Sequence, residues 1–267
     1  MVDLVVVGVG LFASVVGLGA CLTGWRKRKH HRLITETPTT DVRHIDSEGP
    51  VELTGEIDGT ADGDGFVSPI GRADDTVLAA WEVEEWNESG DRSNWRTVGS
   101  GIDSTPFRLS DGTDQVRVAI EDRDDDVIRE WEEFPVVENV GVDDEPPEHI
   151  ETFEREHDLP EQSGSITNVV DVGKAHGDRR YSEQALGPGD GIYLLGHARA
   201  AEGATTPLHP DEAVVTPVDD GTFIVSDLAE DALTDRLSTS YRLWLAGGAI
   251  AVLLGIGVVV SETTPLL

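Results

Sequence analysis

Residues 4–24 read LVVVGVGLFASVVGLGACLTG, and residues 25–32 read WRKRKHHR. The first stretch is 21 residues without a charge or a histidine, long enough to cross the ~30 Å hydrocarbon core of a bilayer as a helix. A Trp at its end suits the membrane interface, and the five Lys/Arg that follow favour the cytoplasmic side. This reading predicts a transmembrane helix over 4–24 and a basic collar and connector over 25–49. It also decides the rest, because everything downstream is then a domain held beside a membrane.

The other end of the chain answers the first. Leu243 to Val260 is a second uncharged run, with Tyr241, Arg242 and Trp244 at its start and Glu262 after it. Its 18 residues sit near the lower limit for a span, yet central Leu, Ile and Val favour insertion. Two spans with the collar inside predict a multi-pass protein of the cell membrane, its central domain cytoplasmic and both termini outside. Small residues recur four apart in both runs, Ala13, Gly17 and Cys21 in one and Gly247, Ala251 and Gly255 in the other. Such spacing permits close helix approach, although glycine is frequent in membrane helices whether or not they pair.

Between the spans the composition is extreme. The chain carries a formal net charge of −32, and the stretch from Leu33 to Tyr241 holds 14 basic against 50 acidic residues. Such a surface repels itself in dilute buffer, and at molar salt the screening length falls to about 3 Å. The expectation is a halophilic, acidic protein adapted to concentrated salt. Disorder competes with that reading, but six Trp and several alternating apolar stretches argue for a folded core. Outside the collar there is no positive stripe of the kind phosphate backbones need, which excludes nucleic acid as a partner.

The single cysteine, Cys21, lies inside the first run. It rules out internal disulfides and cysteine-based zinc sites. Leu18-Gly19-Ala20-Cys21 has the look of a lipoprotein cleavage site, but the positive charge follows the apolar run instead of preceding it, the reverse of a secretory signal.

The middle reads as strands. Val51, Leu53, Gly55 and Ile57 alternate after Pro50, as do Val77, Ala79, Trp81 and Val83, the signature of half-buried strands. Trp95 to Val98 is placed to return as a hairpin partner. Phe107–Leu109 and Val116–Ile120 flank an Asp111-Gly112 turn. Pro146-Pro147 opens a helix with Ile150 and Phe153 on one face, and Leu159-Pro160 closes it. Ile166, Val169, Val170 and Val172 are compatible with a strand. Tyr181–Leu186 and Ile192–Leu195 bracket the turn-rich Gly187–Gly191, and Phe223–Val225 gives a last strand. Ser226 is then placed to cap a helix from Asp227 to about Leu237. The fold class expected is α+β, mainly β: a strand-rich domain over 50–237 between two transmembrane helices, with an open barrel of the OB kind among the arrangements allowed.

In this order the pieces resemble a known family. Gly55 lies in the first strand, Ser68-Pro69 precedes the Trp81 strand, and Pro106–Asp111 reads PFRLSD. Leu186–Gly196 reads LGPGDGIYLLG, Phe223–Ser226 comes later, and Arg242-Leu243-Trp244 enters the second run. The whole is similar to the GIDE (beside-a-membrane) domain of the membrane-anchored RING ubiquitin ligase mulan. The resemblance covers roughly Thr37 to Val260 and implies a membrane-side binding or sensing domain. In that family the ligase chemistry belongs to a RING, which needs Cys and His ligands for zinc. The stretch from Ser261 to Leu267 contains neither.

No catalytic, cofactor-binding or metal-binding residue is expected. Asp122, Asp124, Asp126 and Glu133 fall at four ligand positions of a calcium loop, but Val127 stands where that loop needs glycine. Asp58, Asp62 and Asp64 read as a flexible acidic turn. His30 and His31 sit in the collar; His149, His157 and His197 read as surface histidines, with no metal-ligand spacing among them. Gly189-Asp190-Gly191 matches no phosphate-binding pattern and reads as a turn. Ser110, Ser226 and Ser240 lack a nucleophile-elbow context. Pro106-Phe107, Trp81, Trp86 and Trp95 read as core and hairpin packing, with Trp86 the one placed to contribute to a partner surface. Three functions remain: a non-catalytic membrane-tethered scaffold or stress sensor binding an unknown protein, an accessory whose RING comes from another chain, or a small-solute or ion-linked role for the spans. The last has little support, because neither run holds an ionisable residue.

Overall fold

The computed structural model describes residues 4–89, 92–120, 127–131, 134–164, 174–217 and 223–263. The chain divides into two compact units, one formed by Met1–Pro38 with Ala229–Leu267 and the other by Thr39–Leu228. The acidic positions 122, 124, 126 and 133, and the apolar positions 166, 169, 170 and 172, lie outside the described residues.

The first unit is a pair of long helices, α1 (Leu4–Glu36) and, at the other end of the chain, a helix over Glu230–Thr263. Both are long and apolar enough to cross a membrane. Helix α1 does not stop at Gly24 but runs on through the whole basic cluster, because Arg and Lys are good helix formers and no Gly or Pro intervenes before Pro38. The stretch expected as a separate helix from Asp227 and the second apolar run are likewise one continuous helix starting at Glu230.

The two helices pack antiparallel through small residues. A Cβ placed on Gly10 would lie 2.8 Å from Gly255 O, one on Gly17 2.8 Å from Gly248 O, and one on Gly24 2.8 Å from Leu245 Cγ. Gly248 in turn faces Cys21, and Gly255 faces Ser14. The contact positions 10, 14, 17, 21 and 24 step by four and three residues, as do 245, 248, 252, 255 and 259. That is a heptad seam, the pattern of a left-handed supercoil. The four-residue stripes expected from the sequence are therefore only half right: Gly17, Cys21 and Gly255 are at the seam, whereas Gly247 faces open space. The outward faces carry exposed Val5, Phe12, Val15, Leu22, Leu243, Ile250, Leu253 and Leu254, an apolar surface that suits lipid and not water.

Among the described residues, the second unit holds, besides two short 3-10 turns at Val42–His44 and Pro210–Glu212, eleven strands and one α-helix. In chain order these are β1 (Gly49–Thr60), β2 (Leu78–Ser89), β3 (Arg92–Ser104), β4 (Phe107–Ser110), β5 (Gln115–Val118), β6 (Val127–Glu130), β7 (Val136–Val140), α2 (Glu148–Glu156), β8 (Arg179–Leu186), β9 (Gly191–Ala200), β10 (Ala213–Thr216) and β11 (Phe223–Ser226). The long helix after β11 is α3. Strands β1, β4, β5, β10 and β9 follow one another in a ring, and β9 returns to pair with β1 from Gly49↔Ala198 to Glu56↔Gly191. The barrel is closed, not open. Its five strands run 1-2-3-5-4 around the ring when counted alone, with β5 and β10 parallel through Val214↔Arg117 and all other neighbours antiparallel. This connectivity belongs to the OB kind of barrel. β9 reaches past β10 to pair with β11 as well, and β6 adds to β11 in parallel.

A four-stranded sheet, β3-β2-β8-β7, forms a second layer. Val77 to Ala80 are fully buried and Trp81 nearly so, because this strand is covered on both sides. Leu78 and Ala80 join the barrel core with Leu53, Ile57, Phe107, Leu109, Leu194 and Phe223. On the opposite face Trp81 and Val83 meet Ile150 and Phe153 of α2, together with Ile70, Val140 and Tyr181. The alternation of β2 thus separates two hydrophobic cores by one sheet.

Candidate binding cleft

Three segments far apart in sequence close on one cleft of about 550 Å³, lined by Thr54–Asp58 of β1, Ser110–Gly112 at the end of β4, and Pro188-Gly189 before β9. Each segment is held in place by the others. A Cβ on Gly55 would fall inside the contact radius of Ser110 O, so only glycine lets the end of β4 lie against β1. The Gly187–Gly191 turn folds back on β1: Gly189 N donates to Ile57 O at 2.8 Å, and Ile57 N donates to Asp190 O at 2.9 Å. The Asp190 side chain closes the same turn by accepting from Gly187 N at 2.8 Å.

Asp111 organises the third wall. Its carboxylate accepts from Val42 N at 2.7 Å, Thr113 N at 2.8 Å, Thr113 Oγ1 at 2.7 Å and Asp114 N at 3.2 Å. Partial burial alone would raise its pKa, but these donors outweigh it and hold the carboxyl below the usual carboxylate range. Asp58 accepts from Gln115 Nε2 at 2.8 Å, and the exposed Glu56 meets no donor among the described residues. Among the described residues, no His, Cys, Lys or Arg lines the cleft. The Ser110 Oγ accepts from Gly112 N at 3.3 Å. The cleft is an anionic recess that offers carboxylate, backbone and hydroxyl groups.

The other singled-out residues are dispersed. Asp58, Asp62 and Asp64 do not converge: Asp62 pairs with Arg117 while Asp64 is exposed. His149 and His197 are half-buried on separate elements. His157 is a correction, for it is no surface histidine. It packs against Trp81 and Phe153, each at 4.6 Å between ring centroids, and its Nε2 lies 3.2 Å from Asp103 Oδ2. Ser226 is buried, and its Oγ accepts from Leu228 N at 3.0 Å rather than capping a helix at Asp227. Ser240 lies within α3. Trp86 and Trp95 form a cross-strand pair at 5.3 Å, covered by Lys174 and Arg180.

Two polar clusters escape sequence reading. Arg179 is buried to 1% exposure and donates to Glu85 at 3.0 Å, to Glu154 at 2.6 Å and to Pro160 O at 2.6 Å. Burial works against its charge, but the two carboxylates more than restore it. Tyr181 donates to the same Glu154 at 2.6 Å, and burial followed by that neighbouring carboxylate pushes its phenol up. Glu183, 4% exposed on β8, accepts from Ser68 Oγ at 2.7 Å, Ile70 N at 2.9 Å and Gly71 N at 2.7 Å. Both clusters pin loops and helices to the second sheet.

Among the described residues no group of three or more His, Cys, Asp or Glu could hold a metal ion, and the one cysteine in the sequence sits at the α1 seam. RING-type zinc machinery is absent from these residues. A search of curated proteins and a search of solved structures each return no match. A family model described as "GIDE: E3 Ubiquitin ligase" matches residues 81–260. That match runs from Trp81 in β2 to Val260 in α3 and takes in two of the three cleft walls. Covering well over half of the 267 residues, it places the chain in the GIDE family.

Proposed function

We propose that this chain is a two-pass membrane protein whose β-rich unit binds a protein partner, acting as a membrane-tethered scaffold or stress sensor and catalysing nothing itself. The collar after the first span favours a cytoplasmic unit and external termini. The observation that carries the binding reading is the cleft. Gly55, Ser110-Asp111 and Gly187–Gly191 come from separate parts of the chain, and their side chains and backbones are spent on keeping one recess open. Its lining of carboxylates without a counter-cation fits a partner segment presenting Lys or Arg.

A photo-crosslinking residue at Thr54, in full-length protein solubilised in molar KCl, tests this. The expected result is one stoichiometric adduct that disappears in a Glu56→Lys/Asp58→Lys variant. An adduct that survives charge reversal, or none at all, overturns the cleft as the working surface. Digestion of the β-rich unit by protease added outside sealed vesicles would overturn the topology. The family's description favours a second reading, an accessory to protein modification with the RING supplied by another chain. That reading expects a RING-bearing protein as the crosslinked partner.

A further inference from the structure

Beyond Gly24, the exposed surface of α1 carries a groove of about 350 Å³, lined by Trp25, Arg28, Lys29, Arg32, Leu33 and Glu36. Trp25 is 61% exposed. Arg32 is already engaged, with Nε 2.9 Å from Glu36 Oε1 and its terminal nitrogen 3.1 Å from Oε2. Arg28 and Lys29 meet no acceptor among the described residues. What sets these two apart from the other cations of the collar is the groove they share with Trp25.

Depth explains what these two face. The apolar run of 21 residues spans about 31 Å at 1.5 Å per residue, which fills the hydrocarbon core. Trp25 then sits at the boundary, and Arg28 and Lys29 about 4–6 Å beyond it. The headgroup layer occupies about 5–8 Å on each side. Two unpartnered cations, a bidentate-ready guanidinium among them, therefore stand at phosphate depth beside an indole.

The geometry points to a seat for the phosphodiester headgroup of an anionic lipid on α1, held by Arg28 and Lys29, with Trp25 against the glycerol region and Arg32 fixed by Glu36 as the outer wall. This rests on α1 crossing a bilayer and not on the cleft. It differs from the diffuse attraction of any basic collar, which salt screens within about 3 Å at 1 M; contact pairs in a groove outlast that screening.

The test uses the full chain reconstituted in vesicles, with spin-labelled phosphatidylglycerol and phosphatidylcholine as probes and their relative association measured at 0.1 and 2 M KCl. The expected result is a preference for the glycerol lipid that persists at 2 M and falls by about fivefold for each cation removed, roughly thirtyfold in Arg28→Gln/Lys29→Gln. Arg26→Gln/Lys27→Gln, which removes the same charge from other faces of the helix, retains it. A preference lost at 2 M in the parent, or lost equally in both variants, overturns the seat. Displacement of the lipid by equimolar inorganic phosphate overturns the lipid as its occupant.

Discussion

Replacing Glu183 by Gln removes a charge and almost no volume, and the hydrogen bonds around it set the cost. The carboxylate accepts three hydrogen bonds from the Ser68–Gly71 loop, and Ser68 Oγ itself accepts from Ala73 N at 2.8 Å. A glutamine offers one oxygen. If it faces Ser68 and Gly71, its amide group opposes Ile70 N–H; if it faces Ile70, the amide opposes Gly71 N–H. Either way a backbone donor is left facing a donor, at a cost of about 1–3 kcal/mol. The bonds that remain lose their charge assistance, roughly half their strength. Together these give about 2–4 kcal/mol, or a fall in Tm of about 5–15 °C for a unit of this size. Thermal unfolding of the full chain in detergent and molar KCl, followed by tryptophan fluorescence, measures it. Hydrogen exchange at Ile70, Gly71 and Ala73 localises it. The exposed Glu156→Gln is the control and should stay within about 0.5 kcal/mol. A Glu183→Gln protein melting within about 2 °C of the parent, its loop amides still protected, would refute the reasoning.

Other perturbations have equally definite outcomes. Gly55→Val should drive β1 and the end of β4 apart, costing about 1–3 kcal/mol and abolishing crosslinking at the cleft; unchanged crosslinking would show that the close approach is dispensable. The carboxyl of Asp111 is held below its unfolded value, so its contribution is present above about pH 4 and is lost as the pH falls through the folded value. The stability gap between the parent and Asp111→Asn should thus narrow from about pH 5 to about pH 2 in denaturant titrations, and a constant gap would contradict it. Oxidation should link Cys21 to a cysteine introduced by Gly248→Cys but not by Gly247→Cys, read by mass spectrometry of the linked peptides; the opposite pattern would refute the heptad register. Dilution from molar to 0.1 M KCl lengthens electrostatic repulsion from about 3 to about 10 Å and should melt the acidic unit, so a circular-dichroism spectrum retained at 0.1 M would contradict salt adaptation.

Strands with one dry face could be read from the chain. Val51, Leu53 and Ile57 alternate as expected and point into the barrel, and the Asp111-Gly112 turn joins β4 to β5. Closure of the ring was hidden, because it rests on β9 pairing with β1 across more than 130 residues and on the short strand β10, whose Ala213–Thr216 carries too few residues for a periodic signal. The second sheet was hidden for a different reason. Trp81 and Ala80 are both buried, and alternation cannot show that opposite faces enter different cores. At the cleft, Gly55, PFRLSD and LGPGDG stood out individually; only the fold shows that they meet. Glu183 and Arg179 were lost among 52 acidic and 20 basic residues, since burial, and not residue type, distinguishes a paired charge from a solvated one.

The neighbours of β9 have a mechanical meaning. Along its length β9 bonds β1 on one edge and β11 on the other. The chain reaches β1 from α1, and it leaves β11 for α3 after only three intervening residues. Both anchors therefore tug on the two strands that clasp a single middle strand, and those two strands point the same way. A pull toward the start of β1 and the end of β11 loads their crosswise bonds in shear, all at once, where peeling would break them one by one. Because β1 is also one wall of the recess, a load along it would be felt there directly.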